Sequence, residues 1–309
     1  MDIRQLEALV GIADHRTFSR AADALGTVQS NISNRIARLE DELGAELVNR
    51  STGALTESGE IVVQRARRIL IELRAIASDV SELNADIRGE VVLGMIGTAG
   101  RWIVPLLLAA LRTTYPHIAV RIIEGSNSVL EPQLVNGRLD LAVLAWPVDA
   151  PELVEAELFT EDLVVIVDKR HPLVQLNRSV TFAELADYEL LLPLRGTPIR
   201  RAIDEASNAQ GVELKPLIEL DGLRTIASLT FDGHGPAILP ATMLSPHLQS
   251  SFVAVHIDAI SKRRVVLASR RFGFPAAPVR AIESLLFDVV HNVPSAPDGV
   301  YIPRDTVLP

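Results

Sequence analysis

Apolar and polar positions alternate with a helical period in the amino-terminal part of the chain. Between residues 28 and 43, apolar side chains recur at spacings of four, three and four residues, which places them on one stripe of a helix. They are Ile32, Ile36, Leu39 and Leu43. A shorter helical pattern precedes Gly26. Residues 16–50 therefore predict two helices joined by a tight turn.

The face opposite this stripe carries small and polar groups. Its members are Ser30, Asn34 and Ala37, flanked by Gln29, Ser33 and Arg38. Amides and hydroxyls near the start of the second helix are typical of a recognition helix that enters the major groove of DNA. The alternative is an ordinary amphipathic helix, although such a helix more often alternates Glu and Lys on its polar face.

A short hairpin is predicted next. Residues 47–50 and 54–56 flank Ser51-Thr52-Gly53, with glycine at the turn. In this arrangement Arg50 lies beside the phosphate backbone and Thr52 and Gly53 lie at the tip. The order of elements is that of a winged helix-turn-helix domain.

A long heptad pattern follows the wing. Thr56 is a candidate N-cap, and Glu57 and Glu60 fall in the first helical turn, where negative charge is favoured. Apolar residues then alternate at spacings of four and three: Val62, Ala66, Ile69, Leu73, Ile76, Val80, Leu83 and Ile87. A helix over residues 57–88 would be about 50 Å long. Its uninterrupted seam predicts a dimerisation helix that also links two domains; a helix packed only on its own domain is the alternative.

Beyond Gly89 the pattern changes to alternating strands and helices, which predicts an α/β fold with helices on the faces of a sheet. A strand at 159–167 crosses into a second unit, and a strand at 264–269 returns to the first. The predicted lobe I spans about 89–161 and 268–292, and lobe II spans about 162–267. Thr181 and Glu184 form a candidate capping box within lobe II. Residues 293–309, rich in Pro, Asp and Gly, predict a flexible tail.

These segments together resemble the LysR-type transcriptional regulators over nearly the whole chain. The family's amino-terminal pattern is carried by Leu6, Thr17-Phe18-Ser19, Ala21-Ala22, Leu25, Gln29-Ser30, Ile32-Ser33, Ile36, Leu39-Glu40, Leu43-Gly44, Leu47, Arg50, Leu55-Thr56 and Gly59. Val28 departs from it where the family has Ser or Thr, so that either Thr27 caps the recognition helix or the cap is weak. Val48 replaces the usual Phe.

The second half of the resemblance concerns a two-lobed effector-binding domain like the periplasmic solute-binding proteins. Its motifs are Tyr115-Pro116, Glu124-Gly125, the segment 137–142, His171-Pro172-Leu173 and the segment 233–240. The resemblance implies a DNA-binding domain at 1–58, a linker and dimerisation helix at 59–88 and an effector domain at 89–292. It also implies a homodimer or homotetramer that binds promoter DNA, responds to a small molecule and influences RNA polymerase.

Two sets of contact residues are expected. The DNA-binding set is Thr17, Ser19, Gln29, Ser30, Asn31, Ser33, Asn34, Arg35, Arg38, Arg50 and Thr52. The effector set occupies turns at the cleft between the lobes and is Gly97, Thr98, Ala99, Gly100, Ser126, Asn127, Ser128, Arg195, Thr197 and Gly233. A cation beside a helix N-terminus suits an organic anion. The alternative for Arg195 is an ion pair at the surface or between the lobes.

Charge is the observation that fits DNA binding least. The chain carries a net charge of −9, and residues 1–60 contain six arginines and ten acidic residues, a balance of −4. Residues 16–38, however, contain four arginines and a single acidic residue, Asp23. We expect modest non-specific affinity, with specificity from direct contacts and pairing of subunits. A protein of another class, an effector-binding or scaffold protein with an inactive DNA module, is the alternative.

Composition and scattered chemistry exclude most other functions. The chain has no Cys, which removes disulfides and thiol chemistry, and its seven histidines show no metal-ligand spacing. No nucleophile elbow or phosphate-binding glycine loop occurs, so neither an enzyme nor a cofactor is expected. No signal segment is visible and the longest apolar run, 102–111, is too short to span a bilayer. A cytoplasmic protein is expected.

Overall fold

The computed structural model describes residues 1–82 and 87–303. The amino-terminal domain packs three helices around one aliphatic core: α1 (Ile3–His15), α2 (Phe18–Ala24) and α3 (Gln29–Leu43). The stripe predicted for α3 is buried at Ile32, Ile36 and Leu39 but 41% exposed at Leu43. Leu43 is the last residue of the helix and lies beyond the core.

The predicted wing is present. Val48 and Leu55 form an isolated antiparallel bridge, and Gly53 lies at the tip with a φ of 71°. A Cβ at Gly53 would overlap the backbone carbonyl of Arg16, so both the conformation and the space favour glycine. After the wing, the Thr56 hydroxyl accepts a hydrogen bond from the Gly59 amide at 3.0 Å, which is the capping contact predicted for the next helix.

The long helix α4 (Glu57–Glu82) packs on α1 with one side and leaves four of the eight predicted seam positions in solvent, whereas Ala66 is fully buried. Four seam positions are between 37% and 61% exposed: Ile69, Leu73, Ile76 and Val80. Leu83 lies outside the described residues. Residues 87 and 88 are not helical, so the predicted continuous helix to residue 88 is too long. The exposed apolar seam is the surface for which a partner helix was expected.

The rest of the chain forms two α/β lobes. Lobe I begins with β1 (Gly89–Met95), α5 (Gly97–Thr114), β2 (Ile118–Glu124), α6 (Asn127–Val135), β3 (Leu141–Ala145) and β4 (Leu153–Glu161). Lobe II contains β5 (Leu163–Asp168), α7 (Pro172–Gln175), α8 (Phe182–Leu185), β6 (Glu189–Pro193), α9 (Pro198–Ala209), β7 (Lys215–Leu220), α10 (Leu223–Phe231), β8 (Ala237–Pro240) and β9 (Phe252–His256). The chain returns to lobe I with β10 (Arg263–Arg270), α11 (Ala277–His291) and β11 (Val300–Tyr301).

Each lobe is built on its own sheet. The strand order is β11-β4-β10-β3-β1-β2 in lobe I and β7-β6-β8-β5-β9 in lobe II. Strand β1 runs parallel to β2 and β3, and β6 runs parallel to β7. The carboxyl ends of parallel neighbours meet at one edge of a sheet, where ligands bind in open α/β folds. One apolar cluster continues through both lobes and includes Leu93 of lobe I and Leu239 of lobe II.

Two predicted boundaries are corrected. Strand β10 pairs with the lobe I sheet from Arg263 onward, so lobe II ends near residue 262 and not near 267. The predicted flexible tail is wrong for residues 300–301, which pair with β4 as strand β11. Val300 is only 8% exposed, because it covers the edge of the lobe I sheet. Residues 304–309 lie outside the described part of the chain.

Candidate DNA interface and effector cleft

The polar face predicted for α3 is open to solvent. Five of its seven predicted DNA-contacting residues are exposed and two are half-buried. The exposed ones are Gln29, Ser30, Asn31, Asn34 and Arg38, and the half-buried ones are Ser33 and Arg35. The opposite stripe of α3 is packed in the core of the domain. The polar face is therefore held at the surface and cannot turn inward unless the domain unfolds.

The start of α3 has an unusual cap. The N-cap residue is Val28, with extended backbone angles (φ −102°, ψ 151°) and no side-chain capping bond. Thr27 does not take over this role: its hydroxyl accepts a hydrogen bond from Asn31 Nδ2 at 3.0 Å. Of the two alternatives left by the sequence, the structure shows the weak cap.

The other predicted DNA-binding residues lie in α2 and the wing. Thr17 is the N-cap of α2, where its hydroxyl accepts from the Arg20 amide at 3.2 Å, and Ser19 is exposed. In the wing, the Thr52 hydroxyl accepts from the Ala54 amide at 3.2 Å. These hydroxyls shape the backbone while remaining at the surface of the domain.

Glu40 anchors the wing and positions Arg50. One carboxylate oxygen accepts from the amides of Leu47 (2.8 Å) and Val48 (3.2 Å), and the other pairs with Arg50 Nη2 at 2.9 Å. The Arg50 side chain remains 58% exposed beside the wing. The sequence places Glu40 at the start of an acidic run that weakens DNA binding. The structure shows that this carboxylate is engaged inside the domain.

A second acidic residue of the domain is also engaged, at a joint that no local sequence pattern indicates. Asp14 at the end of α1 pairs with Arg67 of α4 and, at 2.9 Å, with Arg138 of lobe I. Arg67 is 7% exposed. A Cβ at Gly137 would lie 2.7 Å from Ile71 Cδ1 of α4, so the lobe I loop packs tightly on the linker helix. The amino-terminal domain is therefore in direct contact with lobe I.

The predicted effector turns follow the carboxyl ends of parallel strands in both lobes. In lobe I, Gly97 follows β1 and Ser126 follows β2; in lobe II, Arg195 and Thr197 follow β6. The structure adds Arg224, which follows the neighbouring strand β7 at the start of α10. Sequence reasoning missed Arg224 because it predicted neither α10 nor which strand neighbours β6.

An ion pair crosses between the lobes at this edge. Arg224 of lobe II contacts the Glu124 carboxylate at the end of β2 in lobe I, and both side chains are partly exposed, at 63% and 47%. A Cβ at Gly97 would lie 2.5 Å from Glu124 Oε1 and 3.1 Å from Arg224 Cδ. The protein's own carboxylate thus lies beside the first turn of α5, paired with the cation of the facing lobe.

The turn predicted at Gly97–Gly100 is instead the first turn of α5, which begins at Gly97. Thr98 is 3% exposed and accepts from Arg263 Nη1 at 2.8 Å, and Ala99 is fully buried. These two residues therefore lie beneath the cleft surface. Gly97 and Gly100 are half-buried.

The turn before α6 is also held by internal bonds. Asn127 Nδ2 donates to the Ala145 carbonyl at 2.6 Å, and its Oδ1 accepts from the Ala145 amide at 3.1 Å. The hydroxyls of Ser126 and Ser128, both exposed, lie 2.8 Å apart. Asn127 therefore fastens α6 to the end of β3, whereas the two serines stay accessible.

Arg195 forms an ion pair within lobe II, at 3.4 Å from Glu219 on β7, and is 67% exposed. The same Glu219 carboxylate accepts from the buried Arg200, and this bond is the main reason that the pKa of Glu219 lies below its ordinary value. Thr197 caps α9 by accepting from the Arg200 amide. Arg195 thus makes an ion pair at the surface of lobe II. Gly233 is exposed after α10, with a φ of 87°.

Beneath the cleft lies a buried ionic joint that the sequence did not reveal. Glu161, fully buried, accepts from Arg263 Nη1 at 3.0 Å and from the hydroxyl and amide of Thr242 at 2.7 and 3.2 Å. Arg263 also reaches Thr98 of α5. Glu161 ends β4 and Arg263 begins β10, at the two places where the chain passes between the lobes. The ion pair therefore holds these two connections together.

Two family models match the chain. The model of the bacterial regulatory helix-turn-helix of the lysR family matches residues 3–60, and the model of the LysR substrate binding domain matches residues 84–289. The chain belongs to the LysR family of bacterial transcriptional regulators. The sequence-based family assignment and fold class are thereby confirmed.

Individual relatives span nearly the full chain. The regulator is 29% identical to the DNA-binding transcriptional dual regulator OxyR of Escherichia coli over 286 residues, covering 91% of this chain and 92% of that protein. A full-length Pseudomonas aeruginosa OxyR, with a cysteine replaced by aspartate, matches with a TM-score of 0.74 at 25% identity and 99% coverage of both chains. CbnR in complex with its target DNA matches in fold, with a TM-score of 0.62 at 23% identity over 94% of this chain and 99% of that one.

Family membership establishes the broad function. The protein is a DNA-binding transcriptional regulator with a substrate-binding or effector-binding domain and belongs to a family of regulators, not of enzymes; its partners are DNA and a small-molecule effector. Within residues 1–82 and 87–303, no group of His, Asp or Glu side chains is arranged to hold a metal ion. In the same residues, no helix is long and apolar enough to cross a membrane.

Proposed function

We propose that this regulator reads its operator through the exposed face of α3 and the wing, and that an organic anion bound between the lobes switches it. The observation that supports the anion is the cross-lobe pair of Arg224 and Glu124. An exposed guanidinium at the mouth of the cleft is a ready partner for a carboxylate or phosphate. We therefore assign the leading role to Arg224 and a supporting one to Arg195, together with Gly97, Ser126, Ser128 and Thr197.

The pair also suggests how binding becomes a signal. An anion that takes Arg224 must displace Glu124, and the released carboxylate no longer links lobe I to lobe II. A ligand shifts an equilibrium only through its different affinities for two states, and this exchange supplies such a difference. The lobe I loop that carries Arg138 contacts both α4 and Asp14 of the DNA-binding domain. This contact offers a physical path from the cleft to the DNA-binding domain.

We propose that two subunits pair through the exposed seam of α4 to form a dimer, and that dimers join into a tetramer that binds two sites near a promoter. The seam residues are Ile69, Leu73, Ile76 and Val80. Such an assembly acts in the cytoplasm and places two α3 helices on paired half-sites near RNA polymerase.

Several relatives, among them one of Dickeya chrysanthemi, are named hydrogen peroxide-inducible genes activator, and this chain differs from a thiol-based peroxide sensor in one respect. It has no Cys. Formation of a sulfenic acid or disulfide is therefore not available to it. A reversibly bound small molecule remains the effector class that its cleft residues support.

A thermal-shift screen of small mono- and dicarboxylic acids and sugar phosphates tests this proposal. Acids that stabilise the parent protein should bind Arg224→Ala at least tenfold more weakly, because the guanidinium supplies their charged contact. They should bind Glu124→Gln several-fold more tightly, because the competing carboxylate is gone. The matched control is Arg121→Ala, an exposed arginine on β2 that pairs with Glu90.

The same acids are then added to gel shifts with operator DNA. An acid that binds the cleft should change the apparent DNA affinity of the parent protein and of Arg121→Ala, and leave Arg224→Ala unaffected. Binding of every active acid to Arg224→Ala at parental affinity would contradict the placement.

A further inference from the structure

Val28 is an apolar side chain at the tip of the recognition helix. It is the N-cap of α3, has extended backbone angles and is 59% exposed. It is not among the side chains that form the core of the amino-terminal domain in the described residues. Its methyl groups therefore project into solvent beside Gln29, from the end of α3 that meets base edges in helix-turn-helix complexes.

This residue is unfavourable for the free domain on two counts. Valine is one of the poorest N-cap residues, because it has no side-chain acceptor for the free amides of the first helical turn. Burial offsets little of this loss, since Val28 is 59% exposed. Thr27 does not relieve it, because its hydroxyl bonds to Asn31.

An apolar group of DNA in the major groove would cover the exposed Val28 side chain. The C5-methyl of thymine is the one apolar group that the four base pairs present there, and small apolar side chains contact it. The first turn of α3 has no acidic residue to repel the neighbouring phosphates. We propose that Val28 is a base-reading residue that recognises a thymine through contact between its methyl groups and the C5-methyl.

This inference rests on the proposed use of the α3 face, and it adds a residue of different chemistry to it. Gln29, Ser30 and Asn34 offer hydrogen-bonding groups, which distinguish bases by donors and acceptors. Val28 offers only shape and apolar surface, so it distinguishes thymine from cytosine and uracil by the methyl group. A symmetric dimer would place one such thymine in each half-site.

The test uses the full-length regulator and an operator selected from random DNA. Each thymine of the selected site is replaced in turn by deoxyuridine, which removes the methyl group and nothing else. One thymine in each half-site should matter. Replacing that thymine in a single half-site should weaken binding of the parent protein about fourfold, because one buried methyl group is lost. Replacement in both half-sites should weaken binding by more than about tenfold, since the two losses multiply.

Variants separate Val28 from other sources of methyl recognition. Val28→Ala should discriminate between the thymine and deoxyuridine operators less than the parent does, because it keeps only Cβ of the valine side chain, whereas Val129→Ala, at a 50% exposed valine on α6, should keep the parental ratio. Val28→Ser, which restores a capping hydroxyl, should fold at least as well as the parent and also lose the discrimination. The proposal is overturned by a parent protein that is insensitive to every deoxyuridine, or by a Val28→Ala variant that retains the parental ratio.

Asn34→Ala distinguishes failure of this inference from failure of the proposed recognition face. If Asn34→Ala loses specific binding while Val28→Ala keeps its discrimination, the face is right and Val28 has no part in it. If both variants select and bind the parental operator normally, the assignment of the α3 face itself is wrong.

Discussion

The recognition face of α3 and the cleft between the lobes are both predicted ligand sites, yet they treat their polar side chains differently. On α3, Asn34 is exposed and lies opposite a stripe of buried residues. In the cleft, Asn127 is half-buried and holds both the amide and the carbonyl of Ala145. The same residue type faces an external partner in one region and fastens the fold in the other.

This difference follows from the partners. DNA is a large external surface, so a side chain can wait for it in water at little cost to the fold. A small ligand binds in a cleft whose walls must be held in place without it, and polar groups there need partners when the ligand is absent. In this regulator the protein supplies them: Glu124 pairs with Arg224, and Arg263 bonds Thr98. An effector must therefore compete with the chain itself.

The largest expected effect on the free energy of unfolding comes from replacing Glu161, beneath the cleft. Its substitution by Ala leaves Arg263, which is 13% exposed, without its buried carboxylate, and removes the acceptor of the Thr242 hydroxyl and amide. We expect the free energy of unfolding of the effector domain to fall by about 3 kcal/mol. Urea denaturation monitored by tryptophan fluorescence measures it.

Glu157→Ala is the matched control on the same strand. Glu157 lies 4.0 Å from Arg264 in a pair that is 32% and 40% exposed, so its loss should cost less than about 1 kcal/mol. Equal destabilisation by the two variants would show that the joint beneath the cleft has no special structural role.

The next largest effect comes from exchanging the two asparagines for alanine. Asn127→Ala removes three hydrogen bonds to the backbone, two with Ala145 and one with the Pro147 carbonyl, and should lower the free energy of unfolding by about 1–2 kcal/mol. Asn34→Ala should change it by less than about 0.5 kcal/mol, as for an ordinary surface position. Operator affinity should show the reverse, with a loss of at least tenfold for Asn34→Ala, since a bidentate base contact contributes about 1–3 kcal/mol.

Asn208→Ala, at an exposed position of α9, controls for the substitution in both assays. If Asn34→Ala destabilises the fold as much as Asn127→Ala does, the two regions do not differ in the way described. An unchanged operator affinity for Asn34→Ala would remove Asn34 from the recognition face.

Local patterns made much of the fold predictable. The buried stripe of α3, the glycine of the wing and the capping box at Thr181 each depend on residues within a few positions of one another. Their physical causes are helical period, backbone conformation and short-range hydrogen bonds, all of which are visible in a single sequence. The DNA-binding face benefits from this, since it lies on one helix.

Long-range pairing was not predictable for the opposite reason. Glu124 and Arg224 are 100 residues apart, and nothing in either local sequence indicates the other. Strand β11 has two residues and no period, and it forms only because Val300 finds the exposed edge of β4. The predicted effector set consequently included Thr98 and Ala99, which the first turn of α5 buries, and left out Arg224, to which we assign the leading role in the proposed anion site.

The smallest expected effect on stability is that of replacing Arg50. Arg50 belongs to the predicted DNA-binding residues, but like the cleft residues it is paired within the protein, with Glu40. Its bond to Glu40 is 58% exposed on the arginine side, so Arg50→Ala should change stability by less than about 1 kcal/mol. Removing one phosphate-binding guanidinium from each bound subunit should weaken binding to specific and random DNA alike. It should also reduce the slope of log affinity against log salt concentration by about one per subunit. Arg112→Ala, an exposed arginine of α5, is the control. A salt slope identical to that of the parent would mean that Arg50 stays with Glu40 in the complex and serves the wing, as Asn127 serves the cleft.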